Sequence, residues 1–128
     1  MRATYKGRVI VAGEASGEAV VVDEISFYGE VDPERGTLID GRSIAGKVLV
    51  ARRSRGSTVG SYVILALKYN GVEPAAILMK RAEPIVVAGA VLSGIPLVDM
   101  LPDEFFKKVR DGVQVEVKSD GSVSVEVR

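Results

Sequence analysis

The residue types best suited to chemistry crowd into ten positions, Arg52-Arg53-Ser54-Arg55-Gly56-Ser57-Thr58-Val59-Gly60-Ser61. Arginine offers a planar fork that grips carboxylate or phosphate through two parallel hydrogen bonds. A glycine-containing loop that leads into a helix adds unpaired backbone N–H groups, which attract an anion. The segment is neither a Walker loop, since no Gly-Lys-Ser/Thr ending is present, nor a dinucleotide fingerprint. A ligand-free reading fits the same residues: Ser57 or Thr58 caps the following helix, Gly56 relieves a tight turn, and the arginines face water. Spacing alone leaves both readings open. Ser61, one turn further on, is read either as a first-turn hydrogen-bonding residue or as a phosphate contact.

What the chain lacks narrows the chemistry further. It contains no cysteine and no histidine, so it offers no thiolate or imidazole to zinc, haem or an iron–sulfur cluster, and any soft metal must belong to a partner. The same absence removes the cysteine–histidine pair and the serine triad, because no imidazole is present to take the hydroxyl proton. A reactive serine here needs another form of activation. Seventeen basic residues balance seventeen acidic ones, which argues against nucleic acid or an anionic membrane as partner. The longest apolar run, Tyr62 to Leu67, falls far short of the ~20 residues that span a bilayer, and the segment from Met1 to Lys6 has no apolar signal core. A cytoplasmic protein is expected. One Asn and one Gln in 128 residues fit a thermophile.

Elements must position that loop. With 128 residues and 47% apolar content, the chain is expected to form one module over residues 1–128. Its 22 valines sit mostly in short runs bounded by Gly, Asp or Pro, which makes sheet the dominant structure. Strands are expected at Gly7–Ala12, Glu18–Val22, Thr37–Ile39, Lys47–Ala51, Ala75–Met79 and Ile85–Val87. A C-terminal hairpin joins Val113–Val117 to Ser122–Val127 around Lys118-Ser119-Asp120-Gly121. Lys47–Ala51 and Ile85–Val87 are almost continuously apolar, as in strands covered on both faces, so a layered α/β fold follows. One helix is expected from the Ser57-Thr58 cap to about Tyr69, buried on most faces and stopped by Gly71. A second begins at Pro102-Asp103-Glu104 and ends near Arg110, with Lys107, Lys108 and Arg110 as its C-terminal charges. The acids of Gly29–Gly36 fit turns better than a metal loop. Asp40 and Arg42 are expected to border either the substrate cleft or a subunit interface.

An ordered series of motifs now carries a resemblance. Phe27-Tyr28-Gly29-Glu30-Val31-Asp32-Pro33, Gly36-Thr37-Leu38-Ile39-Asp40, Gly46-Lys47-Val48-Leu49-Val50, Arg55-Gly56-Ser57, Gly60-Ser61, Pro74-Ala75-Ala76-Ile77 and Gly89-Ala90 resemble the small, swivel-domain subunit of the aconitase X group. The match runs from about Val9 to Pro96. It implies a swivelling β/β/α domain of the aconitase superfamily, with layered sheets and a few helices, closing over the site of a cysteine-bearing large subunit. In the superfamily the swivel domain carries a Gly-Ser-Ser-Arg loop whose first serine is the catalytic base. Gly56-Ser57-Thr58-Val59 occupies the matching place, so the resemblance assigns Ser57 the role of proton acceptor and makes Arg55, Gly56, Thr58 and Ser61 substrate contacts.

Val59 stands where the aconitases proper have a substrate-binding arginine, which argues against citrate or isocitrate. It leaves Arg52, Arg53 or Arg55 as the anion contact. The His-Pro pair frequent before the glycine of Gly46-Lys47 is replaced by Gly41-Arg42-Ser43-Ile44-Ala45, so no role for that histidine carries over. The resemblance also implies a 4Fe-4S cluster held by the large subunit, with none bound by this chain. The implied reaction is that of a hydro-lyase in an archaeal mevalonate pathway, taking a phosphorylated hydroxy acid, (R)-5-phosphomevalonate, to trans-anhydromevalonate 5-phosphate and water. Alternatives are a dehydratase of the same family acting on cis-3-hydroxyproline, and a non-enzymatic anion-binding or assembly module.

Overall fold

In chain order the elements are β1 (Arg2–Lys6), β2 (Arg8–Val11), β3 (Ala15–Ile25), α1 (Phe27–Glu30), β4 (Val31–Asp32), β5 (Thr37–Leu38), β6 (Val48–Ser54), α2 (Gly60–Tyr69), β7 (Ala76–Met79), α3 (Pro84–Ser93), β8 (Leu97–Asp99), α4 (Asp103–Lys108), β9 (Gln114–Val117) and β10 (Ser122–Glu126). They are seen in a computed structural model that describes residues 1–56 and 59–127. The strands form one mixed sheet in the order β1-β10-β9-β3-β6-β7-β8-β2, and β4 pairs with β5 beside it.

Strands β3, β6, β7 and β8 run parallel and form the middle layer. Side-chain alternation divides their residues between two cores. Leu49, Ala51, Ile77 and Met79 pack with Val63, Ile64 and Leu67 of α2 and with Val86 and Ala90 of α3. Val48, Val50, Ala76 and Leu78 pack on the opposite side against Phe105 of α4 and the valines of β9 and β10. Burial on both faces explains the unbroken apolar runs of β6 and β7. The three layers are the β/β/α arrangement that the family resemblance implied. Strand β3 belongs to two of them: Ala15–Glu18 pair antiparallel with β9, and Ala19–Ile25 pair parallel with β6.

The helical layer departs from expectation in two places. Ile85–Val87 is not a strand but the first turn of α3, with Pro84 in that turn and Gly94 closing the helix in a left-handed conformation. No charged residue marks its outer face, where Ala88, Val91 and Leu92 are exposed, so the 3.6-residue period is invisible in hydropathy. Helix α2 is only half buried, with Val63, Ile64 and Leu67 inward and Tyr62, Leu65 and Tyr69 outward. Its N-cap position is Val59, which has no side-chain acceptor. The expected caps, Ser57 and Thr58, lie outside the described residues. The two helices meet closely at Gly89, where a Cβ would come within 2.8 Å of Ile64.

Elsewhere the expected segments form with shifted ends, while β1, α1, β4 and β8 are additional. The acidic turn is organised by Asp32, whose Oδ1 accepts from the backbone N–H of Glu34 at 2.9 Å and of Arg35 at 3.3 Å. Asp99 is fully buried and clamps the far side of the parallel layer. Its carboxylate takes Nε and Nη2 of Arg8 at 2.9 and 2.8 Å and the N–H of Ala82 at 2.9 Å. Among the described residues no helix is long and apolar enough to cross a membrane.

Candidate active site

Parallel strands deliver their carboxyl ends to one edge of the molecule, where α/β proteins bind ligands. Here that edge collects Ser26 after β3, Arg55 after β6 and Lys80 after β7. The chain leaves β6 under tight control, since the N–H of Arg55 donates to the carbonyl of Ile25 at 2.9 Å and so continues the β3–β6 pairing by one bond. Beneath it, Ser26 opens the short helix α1. Its Oγ accepts from the N–H of Gly29 at 3.3 Å, and its own N–H donates to Glu30 Oε1 at 2.7 Å. This is a reciprocal cap of the Ser/Glu kind.

Gly56 then crosses directly over Ser26. Its φ of +119° is one that side-chain-bearing residues avoid, and a Cβ there would stand 3.1 Å from Ser26 Oγ. Phe27, Tyr28, Arg55, Gly60, Glu83 and Ile85 line a small cleft at this point. Ser61, half-buried, is the second residue of α2. The structure thus brings Arg55 and Gly56 to one cleft with the start of α2. Ser57 and Thr58 lie outside the described residues.

The arginines are not simply solvated. Arg53 spreads its fork over two acids of β3, Nε to Glu24 Oε2 at 2.8 Å and Nη2 to Asp23 Oδ2 at 2.9 Å. Arg52 lies over the Phe106 ring, 5.1 Å from its centre, with Asp23 at 3.6 Å. Arg55 meets Glu24 Oε1 at 2.7 Å and, more loosely, Glu30 Oε1 at 3.9 Å. The hydrogen bond from Arg53, joined by the charges of Arg53 and Arg55, outweighs desolvation and holds the Glu24 carboxyl below its ordinary range. Arg52 and Arg53 thus lie along β6, paired with acids of β3 and, for Arg52, stacked over Phe106 of the second core, whereas Arg55, just past the strand and also paired with Glu24, lines the cleft.

Asp40 and Arg42 sit elsewhere. Arg42 joins Asp40 to Asp111 and to the carbonyl of Val21, tying the 40–42 loop to β3 rather than lining the cleft. Lys107 and Lys108 occupy the last turn of α4, as expected. Sequence reasoning missed the parts played by Glu24, Ser26 and Glu30. The spacing of Ser26 and Glu30 carried a trace of the capping signal, but Glu24 meets Arg53 and Arg55 only through the β3–β6 register.

A metal cluster does not fit this chain: it has no thiolate or imidazole, and no group of three or more potential ligands occurs among the described residues.

Residues 4–127 match the family described as the aconitase X swivel domain. The chain belongs to the aconitase X family, in which it is the swivel domain. It is 67% identical over 121 residues to the phosphomevalonate dehydratase small subunit of Aeropyrum pernix, covering 94% of this chain and 92% of that one. It is 50% identical over 129 residues to the protein of the same name from Thermococcus onnurineus, covering 94% and 97%. A crystal structure of Thermococcus kodakaraensis aconitase X in its holo-form superposes with a TM-score of 0.90 at 45% identity, over 97% of this chain and 98% of that one.

Proposed function

We propose that the chain acts in the cytoplasm, as a single swivel module, in the role of small subunit of a phosphomevalonate dehydratase. In this reading Ser57 is the proton acceptor and Arg55 the contact for an anionic group of the substrate. The observation that carries the reading is the placement of the Arg55-Gly56 loop: it joins β6 to α2 at the carboxyl edge, on a chain that has no cysteine or histidine with which to hold an iron–sulfur cluster. Such a chain supplies half of a site. The large subunit, with its cysteines, supplies the other half and any iron–sulfur cluster.

Dehydration of 5-phosphomevalonate removes a proton from the carbon next to the carboxylate and hydroxide from the neighbouring carbon, leaving the double bond of trans-anhydromevalonate 5-phosphate and one water. The base side falls to this chain. A serine hydroxyl is a weak base in water, so it requires stabilisation as alkoxide. The positive end of α2, the Arg55 guanidinium and exclusion of water by the docked partner provide it. Gly56, Thr58 and Ser61 complete the proposed substrate surface through backbone and hydroxyl groups.

Of the three arginines, Arg55 lines the cleft beside Gly56 and Gly60, whereas Arg52 lies over Phe106 and Arg53 spans Asp23 and Glu24; that placement supports Arg55 as the anion contact. The test is Ser57→Ala in the reconstituted two-subunit complex. Turnover falls by about 100-fold or more if Ser57 is the base, the scale of acid–base catalysis. Normal turnover in a fully assembled complex would remove it from that role.

A further inference from the structure

Arg55 is long, exposed and at the end of a strand, yet its guanidinium has a defined place, and the residue that defines it is Glu24. Glu24 lies directly opposite Arg53 in the parallel β3–β6 register. From there one carboxylate reaches Arg53 of β6 and Arg55 just beyond the strand's end, Oε2 to Arg53 Nε at 2.8 Å and Oε1 to Arg55 Nε at 2.7 Å. Arg53 is itself pinned by Asp23, so Asp23, Arg53, Glu24 and Arg55 form a chain of four charges rather than one isolated surface pair. Linked charges hold geometry in a way that single exposed pairs do not. Both acids that meet Arg55 do so at Nε and Nη2, the side-on edge of the guanidinium.

We propose that Glu24 is a positioning residue for the dehydration: by bridging Arg53 and Arg55 it holds the Arg55 guanidinium at the mouth of the cleft, ready for the anionic substrate. The inference rests on the reading of Arg55 as the substrate contact. Its physical content is preorganisation. A free arginine loses its rotamer freedom when it grips a ligand, whereas one already held by Glu24 has lost part of it on folding, and substrate binding is tighter by that amount. The alternative has the opposite sign. If Glu24 acts only as a charge, it repels an anionic substrate, and its removal tightens binding.

The experiment measures steady-state kinetics of the two-subunit complex on 5-phosphomevalonate, with thermal unfolding as the control for folding. Glu24→Gln removes the charge at constant length. It is expected to raise KM about five- to tenfold, a coupling typical of residues in one ion-pair network, with a smaller fall in kcat. Glu24→Asp keeps the charge but is too short to bridge both arginines, and is expected to raise KM as well. In an Arg55→Lys background, Glu24→Gln is expected to add less than about a further twofold, because the group it positions is already gone. An unchanged or lowered KM for Glu24→Gln, a normal KM for Glu24→Asp, or equal effects in both backgrounds overturns the positioning role. A normal KM for Arg55→Lys alone overturns the underlying assignment of Arg55 instead, so the two failures are told apart.

Discussion

Replacing Asp99 by asparagine isolates the value of the clamp at the end of β8. The carboxylate is buried and accepts three hydrogen bonds, from Nε and Nη2 of Arg8 and from the N–H of Ala82. Asparagine has the same shape but one acceptor oxygen. Placed at Oδ2, that oxygen keeps Ala82 and Arg8 Nη2, while its amide turns donor to donor on Arg8 Nε. One bond to a charged group is lost and two are weakened, and such bonds contribute about 1.5–3 kcal/mol each against about 1 kcal/mol for neutral ones. The larger cost of breaking a fully buried ion pair, about 3–5 kcal/mol, does not apply, because the Arg8 side chain is 58% exposed and rehydrates.

The expected loss is therefore about 2–3 kcal/mol, or on the order of 10 °C in Tm for a chain of this length. Thermal and urea unfolding followed by circular dichroism measure it on the chain itself, since both cores are built from its own residues. The Lys47–Glu18 pair, whose side chains are 34% and 56% exposed, serves as comparison, with under about 1 kcal/mol expected on neutralisation. If Asp99→Asn costs no more than Glu18→Gln, the carboxylate is behaving as a surface charge and the reasoning fails.

Gly56→Ala forces a side chain into φ +119° and against Ser26 Oγ. A local strain of about 1–3 kcal/mol should displace the loop, so turnover of the complex is expected to fall at least tenfold while Tm changes by only a few degrees; melting and kinetics on one preparation check both. Ser93 Oγ is buried without a hydrogen-bond partner, so Ser93→Ala is expected to be neutral or to stabilise by up to about 1 kcal/mol, read from the urea midpoint. With no histidine to titrate, stability should be flat between about pH 5 and 8. It should fall in acid, where Glu24, held down first by its hydrogen bond from Arg53, and Asp103, held down by that from Lys80, lie below their ordinary values of 4.5 and 3.8. Depressed carboxyls stabilise the fold above the unfolded value, and the contribution disappears as pH drops through the folded one; melting curves from pH 7 to 2 test the sign.

How much was legible in the sequence depends on what the outer face of each element shows. The hairpin expected over 113–127 was plain because Val115, Val117, Val123 and Val125 alternate with polar residues around a turn. Strand β6 was plain because both of its faces are buried. Helix α3 was not, because its exposed side is as apolar as its buried side; Pro84 and Gly94 ten residues apart were the available signal. Strand β1 was overlooked although Ala3 and Tyr5 alternate with Arg2, Thr4 and Lys6. At the candidate site the loop was found from its composition. Its support was not, since Glu24 lies 31 residues before Arg55 and they meet only after two parallel strands choose a register.

The pairing of the first strands with the last has a consequence for how the protein is made. Strand β1 pairs with β10 and β2 with β8, and Thr4 bonds to Ser124 across 120 positions. A ribosome adds about 5–20 residues each second, so β1 waits on the order of 6–24 s for its partner to be synthesised. Meanwhile β6, α2, β7, α3 and β8 emerge one after another and are able to assemble as they come. The waiting strands carry Arg2, Lys6 and Arg8, charges that discourage adhesion to another chain's free edge. For its opening eleven residues, the order of translation is the reverse of the order of closure.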